Sequence, residues 1–423
     1  MVKALMVAVL AVLMVSLVGC GGGGQPPVVV VQQPAAPATP VTTGPIATGP
    51  VTGSVTGALP GTPDDSAPIV NGTIGQGLDT IVRAAAAREG NFSGTVMVCR
   101  GNEILLSQGY GVMTTSTNAP MPANAIWDWC SVSKQFTAAA ILKLQMMGRL
   151  KLDDPMGKYL PCPADKTNIT IRQLLSHTSG MQQYDRANLG DGSRDVVLQA
   201  LLNLPMAETP GQRFDYNNGN YSLAASIVER NTGMAFEDFV RGYLWRPAGM
   251  YQATFLGDTT VNTALIPFDQ NGQQFPQGPT MPGWWRGAGG ATMPMRQLLY
   301  WDMALRGNSI LDDASKTELY RVIKSDYALG WTVTQKYNDT VYEHDGSSST
   351  ETFNYLRGKD SGIVVAVATS HDTNMVYTLA DNLFSYANGI MPPSTALADV
   401  APASTPVRFA DIDRESLRRV RSR

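Results

Sequence analysis

Ser131 and Lys134 stand three residues apart at the head of an apolar run, a spacing that puts a hydroxyl and an amine on one face of a helix. The run from Thr137 to Met147 is rich in Ala, Leu, Ile and Met. Neither Gly nor Pro interrupts it before Gly148, so it predicts a buried helix with the reactive pair in its first turn. Burial works against the ammonium form of a lysine, which lets the amine accept the serine proton. Backbone N–H groups at the helix N-terminus favour the negative charge that develops on a carbonyl under attack. Alone, the spacing is weak, since a chain of this size holds roughly one such pair by chance.

Two later stretches supply partners. Phe214-Asp215-Tyr216-Asn217-Asn218-Gly219 reads as a loop entering a helix. Tyr216 offers a phenol that acts as acid or base where cations lower its pKa, and Asn218 an amide that can orient a substrate carbonyl. A second Tyr-x-Asn, Tyr386-Ala387-Asn388, falls in the expected last helix, at the wrong place in chain order. The third stretch is His344-Asp345-Gly346-Ser347, on or just after a strand. Alternation puts His344 and Gly346 on one face and Asp345 on the other. Gly346 lets a ligand approach the strand, and the Ser347 N–H completes an oxyanion site begun by Ser131.

The elements that must hold these residues follow from periodicity. Leu78 to Arg88 predicts a helix, and Gly94 to Cys99 with Ile104 to Gln108 a hairpin. In the middle, Thr170 caps a short helix from Ile171 to Leu175, and Ser193 one from Arg194 to Asn203. Helices are also expected over Tyr221 to Asn231, Phe236 to Trp245, and Pro294 to Leu305. After about Asp326 the period changes to two. Strands are expected over Tyr327 to Gln335, Thr340 to His344, Glu351 to Arg357 and Gly362 to Thr369, then a helix from Thr373 to Tyr386. Strands at both ends and helices between imply an α+β fold: one antiparallel sheet closed by the two ends of the domain, with a helical lobe and a cleft between them.

The 423 residues carry a net charge of -3, which argues against a nucleic-acid partner, and 43% hydrophobic residues suffice for a large core. Residues 1–19 read as a signal segment: Lys3, an apolar run from Ala4 to Val18, then Gly19 and Cys20. Leu17-Val18-Gly19-Cys20 resembles a bacterial lipoprotein processing site, which implies lipid on Cys20. An ordinary secretory peptide with an incidental Cys is the alternative. Gly21 after the Cys suggests outer-membrane sorting where two membranes exist. Residues 20–76 form a tether of Pro, Gly, Ala, Thr and Val, and 77–390 the folded part. Residues 391–423 read as a disordered basic tail that is either simply solvated or touches anionic envelope polymers or lipid headgroups. Cys99, Cys130 and Cys162 leave an odd count, so no disulfide pairing is assigned. His177, His344 and His371 lack ligand spacing, and neither metal nor cofactor is expected.

The three motifs in this order resemble the serine beta-lactamase and penicillin-binding family, which includes class C beta-lactamases, D-alanyl-D-alanine carboxypeptidases and related esterases. Ser176-His177-Thr178-Ser179-Gly180-Met181, Gly289-Gly290-Ala291-Thr292 and Ala328-Leu329-Gly330-Trp331 resemble further family segments. The similarity covers about residues 77–390. It implies a beta-lactamase/transpeptidase-like fold, with a five-stranded antiparallel sheet flanked by terminal helices and an all-helical lobe. It implies a cell-envelope serine hydrolase in which Ser131 forms an acyl-enzyme from an amide or ester. Lys134 and Tyr216 share proton transfers, Asn218 orients the acyl group, and His344 and Gly346 hold the far end of the substrate. His344 stands where class C beta-lactamases carry Lys, while carboxypeptidase and esterase branches carry His. That places a D-Ala-D-Ala peptide or small ester ahead of a beta-lactam. Trp284 and Trp285 either line the cleft or pack in the core. The competing reading is an inactive envelope lipoprotein that binds peptidoglycan or a partner through the same cleft. An alpha/beta-hydrolase is excluded, since no Gly-x-Ser-x-Gly is present and the strands are not interleaved with helices.

Overall fold

Successive residues of the central strands point to opposite faces, and here both faces are covered. The computed structural model describes residues 65–390 apart from 90–91, 115–116, 185–188, 190–191, 259–261, 269–280, 349–350 and 372–373. The signal segment, nearly all of the tether and the basic tail lie outside the described residues.

The chain opens with β1 (Ile69–Val70), α1 (Gly72–Glu89) and the hairpin β2 (Gly94–Arg100) and β3 (Glu103–Tyr110). Then come β4 (Ile126–Asp128), a 3-10 turn over Cys130–Ser133, and α2 (Lys134–Met146). The helical lobe adds α3 (Ile171–Leu175), α4 (Arg194–Asn203), α5 (Asn218–Thr232), α6 (Phe236–Val240) and α7 (Arg246–Ala248). The chain returns through β5 (Thr254–Phe255), β6 (Ala291–Pro294), α8 (Gln297–Arg306) and α9 (Asp313–Leu319). It ends in β7 (Thr332–Lys336), β8 (Asp339–Ser347), β9 (Thr352–Gly358), β10 (Ile363–Thr369) and α10 (Met375–Ala387).

Seven strands form one antiparallel sheet in the order β1-β3-β2-β10-β9-β8-β7, and β4, β6 and β5 form a second small sheet. The β2–β10 pairing, from Ile363 opposite Arg100 to Thr369 opposite Gly94, joins the two ends of the domain. Val96 and Val98, with Val365 and Val367, face α1 and α10, meeting Leu78, Val82, Leu379, Leu383 and Phe384. Met97 and Cys99, with Val364, Ala366 and Ala368, face the α2 side, where Trp127, Trp129, Phe136 and Trp301 lie. α2 is apolar almost all round and buried as such a helix must be. Removing one of Phe136, Ile141, Leu142 or Leu144 from water contributes about 1.5–3 kcal/mol each.

Several expectations are corrected. The sheet has seven strands, not five: all six segments read as strands from alternation join it, and the two-residue β1 is too short to show a period. Pro294 does not open a helix; it ends β6 opposite Ile126, and the helix begins at Gln297 after a turn through Met295 and Arg296. The strand expected from Tyr327 starts at Thr332, because Ser325, Asp326 and Gly330 take left-handed conformations and fold 324–331 into turns. The period-two run Tyr327, Leu329, Trp331 reflects burial of those side chains, not strand. Order begins before Gly77: α1 starts at Gly72, and Arg296 reaches back to the Ala67 carbonyl and lies 3.8 Å from the Asp65 carboxylate. The expected hairpin turn at Tyr337-Asn338 is present, with both residues left-handed as a two-residue connection requires. The Thr170 cap is a full capping box with Gln173.

Candidate active site

The nucleophile turn is held before the helix starts. Cys130 has φ of 44°, a left-handed conformation that costs a residue with a Cβ about 1–2 kcal/mol. The Asp128 carboxylate holds it there. Its Oδ1 accepts from the Cys130 N–H at 3.0 Å and the Gly290 N–H at 3.1 Å, and its Oδ2 from Trp285 Nε1 at 3.0 Å. Asp128 is fully buried, and desolvation pushes its pKa up to about 6 although all three donors oppose the rise. Trp285 is thereby a core residue, 3% exposed, while Trp284 is partly buried against it.

Beyond this turn Ser131 and Lys134 meet. Lys134 Nζ lies 2.8 Å from Ser131 Oγ and donates to the Ala288 carbonyl at 2.9 Å. Lys134 is completely buried and Ser131 1% exposed. The carbonyl comes from the segment leading into β6, which docks along α2: Thr137 donates to the Gly287 carbonyl, and the Ala291 N–H to Ser133 Oγ. Gly289 has no room for a side chain, since a Cβ would stand 2.3 Å from the Trp285 ring.

The helical lobe brings the second motif. Tyr216 is 1% exposed, and Lys134 Nζ lies 4.8 Å from its ring centre and 5.6 Å from that of Tyr221. Asn218 is the first residue of α5 and 8% exposed. Asn217 caps that helix by accepting from the Gly219 N–H and ties the loop to the Met181 and Gln182 carbonyls.

β8 brings the third. β7 pairs with it only as far as Glu343, so the edge from His344 to Ser347 is open to the nucleophile turn. A Cβ on Gly346 would sit 2.8 Å from the Trp129 carbonyl oxygen and 3.2 Å from the Ser131 nitrogen, so the strand passes directly beside the Ser131 N–H. Ser347 follows on the same strand, 2% exposed. Asp345 points to the opposite face, where Tyr377 of α10 donates to it at 3.2 Å. His344 is 1% exposed, with both ring nitrogens engaged. Nδ1 lies 2.6 Å from the Asp345 carbonyl, which only accepts, so Nδ1 carries the proton, and Nε2 lies 3.0 Å from the Tyr327 hydroxyl. Burial, with Lys134 adding to it, lowers the His344 pKa to about 3, so the ring is neutral.

Ser131, Lys134, Tyr216, His344 and Gly346 are thus gathered from the 3-10 turn, the first residue of α2, the loop before α5 and β8. Three residues at the site carry no assignment from sequence: Asp128, Tyr327 and His177. The signal for Asp128 was a lone carboxylate within Ile126-Trp127-Asp128-Trp129, and for His177 a histidine inside a polar loop. Tyr327 gave none, being one aromatic among many. Cys99, Cys130 and Cys162 form no disulfide with one another.

A family model described as Beta-lactamase matches residues 78–386, well over half of the chain and all of the strands and helices just named from α2 to β10. The chain belongs to the beta-lactamase family. Members of this family are serine hydrolases, and the fold is that of the beta-lactamases and transpeptidases. A penicillin-binding protein of Bacillus subtilis (strain 168) is 27% identical over 272 residues, 57% of this chain and 59% of its own. A D-aminopeptidase of Brucella anthropi is 28% identical over 260 residues, 58% of this chain and 47% of its own. The match thus spans about half the length of these relatives. Among solved structures, an octameric penicillin-binding protein homologue from Pyrococcus abyssi has the same fold, with a TM-score of 0.66, 20% identity and coverage of 77% of this chain and 79% of that one.

Proposed function

We propose that this protein is a cell-envelope serine hydrolase that cleaves an amide or ester through an acyl-serine intermediate. One observation carries the reading: a fully buried lysine amine 2.8 Å from a serine hydroxyl at a helix start, beside an open strand edge. Ser131 Oγ attacks the carbonyl carbon and its proton passes to the Lys134–Tyr216 pair. The carbonyl oxygen takes the negative charge, facing the N–H groups of Ser131 and Ser347. Collapse expels the amine or alcohol, which takes the proton, and water then hydrolyses the acyl-Ser131 ester by the same transfers. Asn218 orients the acyl side chain. No step calls for a cofactor.

The substrate end near β8 is best matched by an uncharged ester or amide. His344 is neutral and its two nitrogens are taken, so it brings no positive charge to a substrate carboxylate. His344 instead acts by fixing Tyr327 and the strand edge at Gly346. An ester or amino-acid amide therefore ranks ahead of a D-Ala-D-Ala carboxypeptidase substrate, and both ahead of a beta-lactam. The D-aminopeptidase relative supports an amide. Lipid on Cys20 would tether the enzyme to a bacterial envelope membrane, within reach of peptidoglycan-type substrates.

The test is labelling of the full chain with a fluorophosphonate and a fluorescent penicillin, with turnover of p-nitrophenyl esters and amino-acid amides. Wild type is expected to be labelled and Ser131→Ala not, with turnover down by at least about 10⁴-fold. Labelling that persists in Ser131→Ala removes Ser131 as nucleophile. A wild type that neither labels nor turns over any substrate overturns the enzymatic reading and leaves a cleft that only binds.

A further inference from the structure

We propose that His177 is a positioning residue for Tyr216: it grips the chain on both sides of the phenol and so sets where Tyr216 stands against Lys134. The inference rests on the roles given above to Ser131, Lys134 and Tyr216.

Two contacts make the grip. The His177 carbonyl accepts from the Asp215 N–H at 2.8 Å, and its ring Nδ1 accepts from the Asn217 N–H at 3.0 Å. Residues 215 and 217 flank Tyr216, so the backbone on either side of the phenol is tied to one residue. The ring also lies along the Tyr216 ring, with centroids 4.3 Å apart, and meets Tyr221 and Tyr327 at 5.0 Å and the Phe214 edge at 5.8 Å. His177 takes a left-handed φ of 55°, which turns carbonyl and ring toward the same loop. Asn217 relays the hold, since its side chain caps α5 and binds the Met181 and Gln182 carbonyls.

Packing alone does not account for a histidine here. An Nδ1 that accepts leaves the proton on Nε2, and that atom is buried with no hydrogen-bond partner among the described residues. A buried donor without a partner is a cost that an apolar ring would not carry. The acceptor at Nδ1 is what a histidine supplies and a phenylalanine does not. Burial keeps the ring neutral, with Lys134 and His344 opposing its protonation, so the acceptor at Nδ1 persists beside the lysine.

The test compares His177→Asn and His177→Phe in the full chain. Asn brings Oδ1 close to where Nδ1 stands and tolerates left-handed φ, whereas Phe fills the ring space without an acceptor. With a p-nitrophenyl ester, His177→Phe is expected to lower kcat by about 10–100-fold with KM within about threefold, and His177→Asn to stay within about threefold of wild type on both. Amide exchange in the peptide spanning Asp215 to Asn218 is expected to quicken in His177→Phe only. Thermal melts of each variant separate loss of fold from loss of placement. The proposal is overturned if His177→Phe keeps its kcat, or if both variants fall alike. Should wild type turn over no ester, the hydrolase reading fails on its own account and exchange decides: an unchanged rate in His177→Phe overturns the grip.

Discussion

Asp128 is a fully buried carboxylate, and its replacement by Asn turns that burial into a measurable pH dependence. Its pKa rises from 3.8 to about 6, with burial as the leading cause. A rise of about two units at ~1.4 kcal/mol each is about 3 kcal/mol. Below pH 3.8 the carboxyl is protonated in both folded and unfolded chains and its stabilising contribution is fully present. As pH climbs toward 6 and beyond, the unfolded chain ionises first, and the folded state loses up to about 3 kcal/mol. Asn does not titrate. It keeps Oδ1 for the Cys130 and Gly290 N–H groups but sets its own NH₂ against the Trp285 N–H, a pH-independent loss of about 1–3 kcal/mol. Urea unfolding of both proteins at pH 4 and pH 7.5 should show the stability difference moving by about 2.4 kcal/mol in favour of Asp128→Asn at the higher pH, the unfolded carboxyl being already more than half ionised at pH 4. An unchanged difference would show that Asp128 is not desolvated in the folded protein, and would refute the clamp drawn from it.

Gly346→Ala should lower kcat/KM by about tenfold or more with a stability loss of about 1–3 kcal/mol, since the three nearest neighbours of the new Cβ, the Trp129 carbonyl oxygen, Cys130 Cβ and the Ser131 nitrogen, belong to the nucleophile turn; steady-state kinetics and melting measure the two effects. His344→Gln should leave the shape of the pH–rate profile between pH 5 and 8 unchanged, because His344 is already neutral across that range; a limb that vanishes in the variant would contradict the neutral ring. Arg357→Met should cost about 1–3 kcal/mol in urea unfolding, because it removes one of the two guanidinium partners of the buried Asp302 carboxylate, Arg357 at 2.8 Å, and leaves Arg306 at 2.7 Å, without touching the site.

Local chemistry made part of the site legible in one dimension. Ser131 and Lys134 share a helix face by spacing alone, Asn217-Asn218-Gly219 ends a loop and starts α5, and Gly346 marks a close approach. Elements with strong periods, caps or turn residues were equally readable: α3 with Thr170, α4, and the hairpin through Tyr337-Asn338. Burial blurs the rest. Pro294 looks like a helix start and ends a strand, because its partner Ile126 lies far away in sequence. Tyr327, Leu329 and Trp331 alternate like a strand but fill the core from turns.

The chain order of the three motifs, their reactive groups and the α+β plan are properties of the sequence, since each depends on residue types and neighbours within a few positions. The charge state of the site belongs to tertiary structure. Whether His344 is an anchor or a neutral strut depends on Tyr327, the Asp345 carbonyl and the exclusion of water. Whether His177 is a loop residue or a hold on Tyr216 depends on two N–H groups about forty residues away that only folding brings to it. Spacing along a chain sets which groups can share a face; desolvation and long-range hydrogen bonds set what those groups do, and both arise only when the lobes close on one another.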